Sequence, residues 1–342
     1  MATGVKWNSN EIDEAAKAII KGELVAFPTE TVYGLGADAT NVEAVSNVYT
    51  AKGRPSDNPL IVHISNEADL EPFVATISEE AHKLMTTFWP GPLTLIFDII
   101  KGSLPTVTTG GLTTCAFRMP NNQATLSLIE TSGKVLVGPS ANISGKPSPT
   151  TAEHVLHDLK TSIAGVIDDG QTEFGLESTV LDMTVTPPMI LRPGAITPDD
   201  LLTVIDEVTV DNHLLSEASQ PKAPGMKYRH YAPEVPVYMI DYKKQNWQEA
   251  IAWATQENLK IGLLCSKTIA QPFKDKVSES YYLSETSEVS QSMHQLFNGL
   301  RYFDDKADEI EIVFVETFED QGLGMAYMNR VRKSASQRYF NS

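Results

Sequence analysis

Strand-like and helix-like segments alternate along this chain in two blocks, and the alternation fails between them. In the first block Leu24–Phe27, Leu60–Ile64, Leu93–Ile99, Thr114–Arg118, Val135–Gly138, Gly165–Asp168, Ser178–Met183 and Met189–Leu191 are predicted strands. Glu11–Ile20, Asn41–Lys52, Glu79–Phe88, Asn122–Thr131, Ala152–Leu159 and Pro198–Asp206 are predicted helices, with Ser78 and Thr197 as caps. Strands outnumber helices and some follow one another directly. The expected fold is therefore α/β with a mixed, twisted sheet and not a pure parallel wind.

From Asp211 to Pro233 the periodicity stops, in a stretch with two prolines near its middle, a glycine and a closing proline. A loop that long inside a folded protein is either functional or disordered. The cluster Tyr228, Arg229, His230, Tyr231 argues for order. Alternation then resumes. Val235–Ile240, Ile261–Ser266, Ser280–Leu283 and Ile310–Glu316 are predicted strands, separated by the helices Trp247–Asn258, Val289–Phe303 and Met325–Ser334. That is a smaller, regular Rossmann-like unit. The expected organisation is a first domain over 1–210, a long ordered linker over 211–234 and a second domain over 235–342.

Charge narrows the partners. Residues 1–210 hold 12 Lys+Arg and 26 Asp+Glu, a net of −14, while 211–342 hold 15 and 18, a net of −3. A domain at −14 repels phosphate backbones at long range, so direct nucleic-acid binding is expected to be weak or absent. A small anion is still held where the few cations converge. The last 13 residues carry four cations and no acid, which suits a helix end. Two cysteines 150 residues apart exclude a disulfide framework and a thiolate-rich metal site. The N-terminus has no apolar run of a secretory signal, and the apolar stretch Leu93–Ile100 is broken by Asp98. Cytoplasmic location is the expectation.

Several familiar motifs fail on inspection. Gly34-Leu-Gly36 imitates a dinucleotide fingerprint, but Pro28–Tyr33 intervene where a tight strand-to-glycine turn is needed. Gly145-Lys146 lacks the flanking Gly and Ser/Thr of a P-loop, because Ser140 and Pro147 stand there. No His/Cys/carboxylate set has zinc spacing, and no nucleophile elbow is present.

Polar clusters at strand ends remain. In Lys52-Gly-Arg54-Pro, Gly53 can end the helix and Pro55 pushes Arg54 into extended backbone, so the two cations can converge. Alternatively they only neutralise a helix C-terminus. Asn58 follows, and His63 lies near the end of the next strand. The run from Gly138 to Thr150 follows the apolar Val135-Leu-Val137 and carries Ser140, Asn142, Ser144, Lys146, Ser148 and Thr150. At the carboxyl end of a buried strand, such hydroxyls and backbone N–H groups make a nest for phosphate oxygens, or merely an ordinary polar loop. Thr29-Glu-Thr31-Val-Tyr33 can bind an amino acid or cap a turn. Arg118, Ser178 and Arg192 begin or end other strands.

Pro28-Thr-Glu-Thr31-Val-Tyr33-Gly-Leu, Lys52-x-Arg54 with Pro55, Pro139-Ser140-Ala-Asn142-x-Ser-Gly, Glu177-Ser178-Thr179-Val and Arg192-Pro-Gly together resemble the YrdC-like family in order and spacing. The linker Ala223-Pro-Gly-Met-Lys-Tyr228-Arg-His230-Tyr231-Ala-Pro and the second domain resemble its long, two-domain form, the threonylcarbamoyl-AMP synthases. The likeness covers essentially the whole chain; Ala223, where Ser is expected, is one departure.

The resemblance implies an enzyme that makes L-threonylcarbamoyladenylate and pyrophosphate from L-threonine, bicarbonate and ATP. A separate transferase complex then passes the threonylcarbamoyl group to an adenosine beside the tRNA anticodon. By the same resemblance Lys52, Arg54, Ser140 and Asn142 are the ATP-phosphate set. Asn58, Thr114, Ser148, Arg192 and Tyr231 are further nucleotide contacts. Thr31, His63, Arg118, Ser178 and the backbone at Gly138 form the threonine pocket. No dedicated protein metal site is expected, and Mg²⁺ would arrive with ATP. The linker would act as a lid. Two other readings stay open on the residues: an RNA- or tRNA-binding module without catalysis, which wants a basic stripe, and a carbamoyl-transfer enzyme of the hydrogenase-maturation type, which wants cysteine-rich zinc segments.

Overall fold

The computed structural model describes residues 4–211 and 231–341. Most of the expected linker therefore lies outside the described residues, including Tyr228, Arg229 and His230. The chain forms two compact units. The first takes the residues up to Ser144, Ser148–Glu173 and the chain from Glu177 through 211; the second takes Gly145–Pro147, Phe174–Leu176 and residues 231–341.

The first unit is built on an eleven-stranded sheet. Its spatial order is Val5–Asn8, Gly165–Asp168, Val25–Phe27, Gly34–Asp38, Leu136–Val137, Ile61–His63, Thr114–Arg118, Leu93–Asp98, Thr179–Asp182, Met189–Arg192 and Thr209–Val210. Parallel and antiparallel neighbours mix, as expected: Ile61–His63 runs parallel to Thr114–Arg118 and antiparallel to Leu136–Val137.

Side-chain alternation sorts the apolar residues to the two faces. Ala26, Leu35, Val62, Val137 and Val166 face a core with Val45, Val48, Leu84 and Val155 from the helices Val42–Lys52, Glu79–Phe88 and Ala152–Leu159. Val25, Phe27, Leu136 and Ile167 face the helices Ile12–Ile20 and Gln123–Ser132. Each large side chain so buried contributes about 1.5–3 kcal/mol.

Three strands escape the sequence reading. Val5–Asn8 buries one residue in four, so it shows no apolar run. Thr209–Val210 is two residues long. Gly34–Asp38 occupies the false dinucleotide motif; it pairs antiparallel with Val25–Phe27, and Pro28–Tyr33 is the connection between them.

The second unit has a four-stranded sheet, all parallel, in the order Val237–Ile240, Ile312–Glu316, Ile261–Cys265, Glu279–Tyr282. Its interior packs Ile261, Leu263, Cys265 and Phe314 of the strands with Trp247, Ala250 and Ile251 of the helix Trp247–Gln256. This is the Rossmann-like wind read from the sequence.

Candidate functional site

The helix Val42–Lys52 sets the first half of the site. Asn41 caps it by accepting from the backbone N–H of Glu43 and Ala44, an arrangement worth about 1 kcal/mol. Gly53 ends it at φ 59°, in the left-handed region that a side chain resists. The helix therefore stops with Lys52 as its last residue and sends Arg54 off in a new direction, as the sequence suggests.

Lys52 is 2% exposed. Its Nζ donates to the carbonyl of Ser140, and to that of Asn142 at 2.7 Å, while its own carbonyl accepts from Ser144 N–H at 2.8 Å. So Lys52 does meet the 138–144 loop, but through the loop's carbonyls. Arg54 Nη2 reaches the carbonyl of Pro59 at 3.3 Å, next to the buried Asn58. The strand register sets Ile61 beside Ala116, which puts Thr114 level with Pro59. Arg54, Asn58 and Thr114 thus gather at one end of this strand pair.

Backbone hydrogen bonds lace the same loop to the Thr29–Tyr33 connection. Leu35 N–H donates to Pro139 at 2.7 Å, Ala141 N–H to Tyr33 at 2.8 Å, and Tyr33 N–H to Pro149 at 2.9 Å. Gly138 N–H donates to Ile61 at 2.9 Å. A methyl group on Gly138 would lie 2.5 Å from His63 Nδ1 and 2.6 Å from the Phe27 ring, so only glycine allows this approach. Ser148 lies just beyond and donates from Oγ to Glu177 Oε1 at 2.5 Å.

The second half sits at the opposite end of the same strand pair, where the register places His63 beside Arg118. Arg118 is buried, and its fork is fully directed. Nε donates to Gly91 O at 3.2 Å, Nη1 to Thr31 Oγ1 at 2.8 Å, and Nη2 lies 2.7 Å from Glu30 Oε2. His63 is edge-on to Phe27, with centroids 5.3 Å apart. Burial, and then the charge of Arg118, push its imidazole pKa down to about 3 against the smaller opposing pull of the Ile61 and Leu136 backbones, so it is neutral at physiological pH.

Ser178 completes this end. Its Oγ lies 2.8 Å from Thr94 Oγ1 and accepts from Arg192 Nη2 at 3.0 Å; Arg192 Nε also donates to Ser178 O at 3.0 Å. The family resemblance divides these two residues between the nucleotide and threonine sets, whereas the structure joins them.

Two of the residues singled out in the sequence fall in the second unit. Lys146 pairs with Glu234 at 3.0 Å and Asp304 at 2.8 Å within the second unit. Tyr231 also belongs to that unit; its ring centroid is 5.0 Å from that of Phe297. Glu30, Thr94 and Glu177 receive no role from the sequence. Glu30 and Glu177 lie inside motifs already singled out, although nothing in those motifs shows which side chain each one meets; Thr94, near the start of an apolar strand, carries no signal.

Comparisons with known proteins place the chain in a family. A family model described as "Telomere recombination", covering the Sua5, YciO and YrdC proteins, matches residues 17–194, and one described as the threonylcarbamoyl-AMP synthase C-terminal domain matches 196–336. The threonylcarbamoyl-AMP synthase of Bacillus subtilis is 43% identical over 331 residues, 97% of this chain and 94% of the relative. The crystal structure of Pyrococcus abyssi Sua5 complexed with L-threonine superposes with a TM-score of 0.92 at 42% identity, covering 99% of each chain. The threonylcarbamoyl-AMP synthase of Idiomarina loihiensis is 35% identical over 158 residues, 46% of this chain but 84% of the relative. A carbonyl-bound lysine under a glycine–serine loop, a directed arginine at a strand end and a second α/β unit all occur in a chain that belongs to the threonylcarbamoyl-AMP synthase family, in its two-domain form, and is an enzyme of nucleotidyl transfer.

Proposed function

We propose that the two halves of this site divide the family's reaction between them, the Lys52–Asn142 half taking the ATP phosphates and the Arg118 half taking L-threonine. The reaction converts L-threonine, bicarbonate and ATP to L-threonylcarbamoyladenylate, pyrophosphate and water, and supplies the threonylcarbamoyl group for the adenosine next to the tRNA anticodon. The threonine amine adds to the bicarbonate carbon with loss of water, giving a carbamate. A carbamate oxygen then attacks the α-phosphorus, the bond to the β-phosphate oxygen breaks, and pyrophosphate leaves. Neither step needs a protein nucleophile; both need reactants held in line and charge neutralised.

The observation that carries this reading is that one strand pair presents both halves, with Arg54, Asn58 and Thr114 at one end and His63 and Arg118 at the other. Lys52 sets positive charge beneath the Ser140–Asn142 backbone and fixes that loop's shape. Arg118 suits the amino-acid carboxylate, since a planar fork binds carboxylates in two-point fashion. Thr31 and Ser178 offer hydroxyls, and neutral His63 and the Gly138 backbone wall the pocket. In that assignment Ser148 and Arg192 border the nucleotide, and Tyr231 is assigned to it by the family resemblance alone. Mg²⁺ supplies charge neutralisation on the phosphates when it arrives with ATP. Among the described residues no three His, Cys, Asp or Glu side chains converge as metal ligands.

The downstream acceptor of the adenylate is a separate threonylcarbamoyl transferase complex acting on tRNA, and the net charge of −14 over 1–210 gives this enzyme little affinity of its own for tRNA. Cytoplasmic action fits two buried free cysteines; burial raises the Cys115 thiol to about 12 and Cys265 well above its usual range. Among the described residues no helix is long and apolar enough to cross a membrane.

The test is direct. Purified protein is mixed with ATP, Mg²⁺, bicarbonate and radiolabelled threonine. Labelled adenylate and equimolar pyrophosphate, both dependent on bicarbonate, are expected. Pyrophosphate without threonine dependence would overturn the assignment.

A further inference from the structure

We propose that Glu30 is a positioning residue for the amino-acid pocket, acting through the Arg118 guanidinium without touching the substrate. This rests on the reading of Arg118 as the group that receives the threonine carboxylate.

The pair is unusual in how it is held. The two side chains are 4% and 2% exposed, for Arg118 and Glu30 respectively. Removing both ions from water costs several kcal/mol each, which the attraction between them offsets only when the surroundings complete it. Around Arg118 they do in part: Gly91 O and Thr31 Oγ1 accept from Nε and Nη1, while Nη2 makes no hydrogen bond among the described residues. Around Glu30 they do not. Its contact with Nη2 at 2.7 Å is an ion pair without hydrogen-bond geometry, and neither carboxylate oxygen accepts a hydrogen bond among the described residues. A buried carboxylate left without donors calls for an explanation.

Two explanations differ in what they require. In one, the oxygens await the α-ammonium of the substrate. In the other, the carboxylate serves the guanidinium alone. Placement favours the second. The charged group nearest the Glu30 carboxylate is the guanidinium itself, with Arg118 Nη2 2.7 Å from Oε2, and the two side chains are buried against each other. The segment is also not free to turn. Thr29 Oγ1 donates to Val32 O at 2.6 Å and accepts from the N–H groups of Thr31 and Val32 at 3.1 and 3.2 Å, closing a tight hydroxyl-capped turn around Glu30. Glu30 is therefore a fixed negative charge behind Arg118. With Gly91 and Thr31 it defines the plane of the fork, and a two-point carboxylate contact depends on that plane.

The experiment uses the full chain and two ligands: threonine, and 2,3-dihydroxybutyrate of matching configuration, which has a hydroxyl where threonine has its ammonium. Both present the same carboxylate to Arg118. Calorimetric titration of Glu30→Gln is expected to show both ligands weakened by the same factor, about tenfold or more. Steady-state assays should show the loss in KM for threonine, with kcat within about threefold and KM for ATP unchanged. Glu30→Asp, which keeps the charge but withdraws it, should fall between the two and carries the test if Glu30→Gln does not fold. Weakening of threonine alone would overturn the proposal in favour of a direct ammonium contact. Unchanged binding of both ligands in the Glu30 variants, while Arg118→Lys weakens both, would reduce Glu30 to a structural counter-ion. If Arg118→Lys leaves both ligands unaffected, the pocket assignment itself fails, which is a separate result.

Discussion

The two ends of one strand pair solve the placement of a cation in different ways. Lys52 is a point charge at a helix end, and its partners are the carbonyls of a connecting loop. Arg118 is a planar fork on a strand, and its partners are a carbonyl, a hydroxyl and a carboxylate, all brought to it by other segments. An ammonium can swing among acceptors, so the Lys52 end tolerates a ligand that changes shape during reaction. A guanidinium held by three groups cannot, so the Arg118 end suits a ligand that stays put. The proposed division, reacting phosphates at Lys52 and an anchored amino acid at Arg118, matches that difference.

The largest break in the comparison comes from Lys52→Met. It keeps the length of the side chain and removes the charge, taking the Nζ donor from the Asn142 carbonyl and from that of Ser140, which keeps the Asn142 N–H at 3.0 Å. Turnover at saturating ATP is expected to fall by about 10²–10³, the cost of one well-placed charge-assisted contact. The melting temperature should fall as well, because two buried acceptors lose a partner. Full pyrophosphate release by this variant would show that the loop needs no cation beneath it.

Next comes substrate choice at the rigid end. A pocket with fixed hydroxyls at Thr31 and Ser178 should reject valine, which is nearly isosteric with threonine but leaves the polar partners unpaired. We expect kcat/KM for valine to be lower by about 10² or more. Comparable rates for the two amino acids would mean that no hydroxyl contact exists. Ser178→Ala sharpens the same point with a smaller effect. Ser178 Oγ accepts from Arg192, so its loss should raise KM for threonine by about tenfold, near the worth of a hydrogen bond to a charged group. An equal rise in KM for ATP would move Ser178 to the nucleotide side, where Arg192 has been placed.

How much of this is legible without the structure depends on range. The helix ending at Gly53 and the strand Thr114–Arg118 follow from local residue choice, so Lys52, Arg54 and Arg118 can be placed on their elements. The second unit is readable for the same reason, its central strands being continuous apolar runs as in other parallel sheets. What joins the elements is not. That Lys52 spends itself on carbonyls 88 and 90 residues away depends on strand order, and Gly34–Asp38, one of the strands setting that order, has three Gly/Ala residues and no β-branched one. Lys146 shows the converse: its hydroxyl-rich neighbours suggest a phosphate ligand, but Glu234 and Asp304 hold it in the other unit. Glu30 reads from the sequence as an acid between two threonines, yet nothing local shows that Arg118 arrives beside it.

The smallest expected effect on turnover concerns His63, and it separates the two ends by pH. Burial holds its folded-state pKa at about 3, far below the 6.5 of an exposed histidine. Between these values the unfolded chain binds a proton that the folded chain does not. His63 therefore contributes its full stability above pH 6.5 and loses it progressively as pH falls toward 3. At pH 4 the difference is about 3 kcal/mol for this one group. Denaturant unfolding of the native chain and of His63→Asn, compared from about pH 7 to pH 4, should show the native chain losing that much more. Carboxylates titrate in both chains over the same window, so the difference isolates His63. At about pH 6–8 the imidazole stays neutral, and KM for threonine should show no inflection from it. An inflection near 6.5, or parallel stability curves for the two chains, would mean that water reaches His63 and that the proposed amino-acid end of the site is as open as the proposed phosphate end.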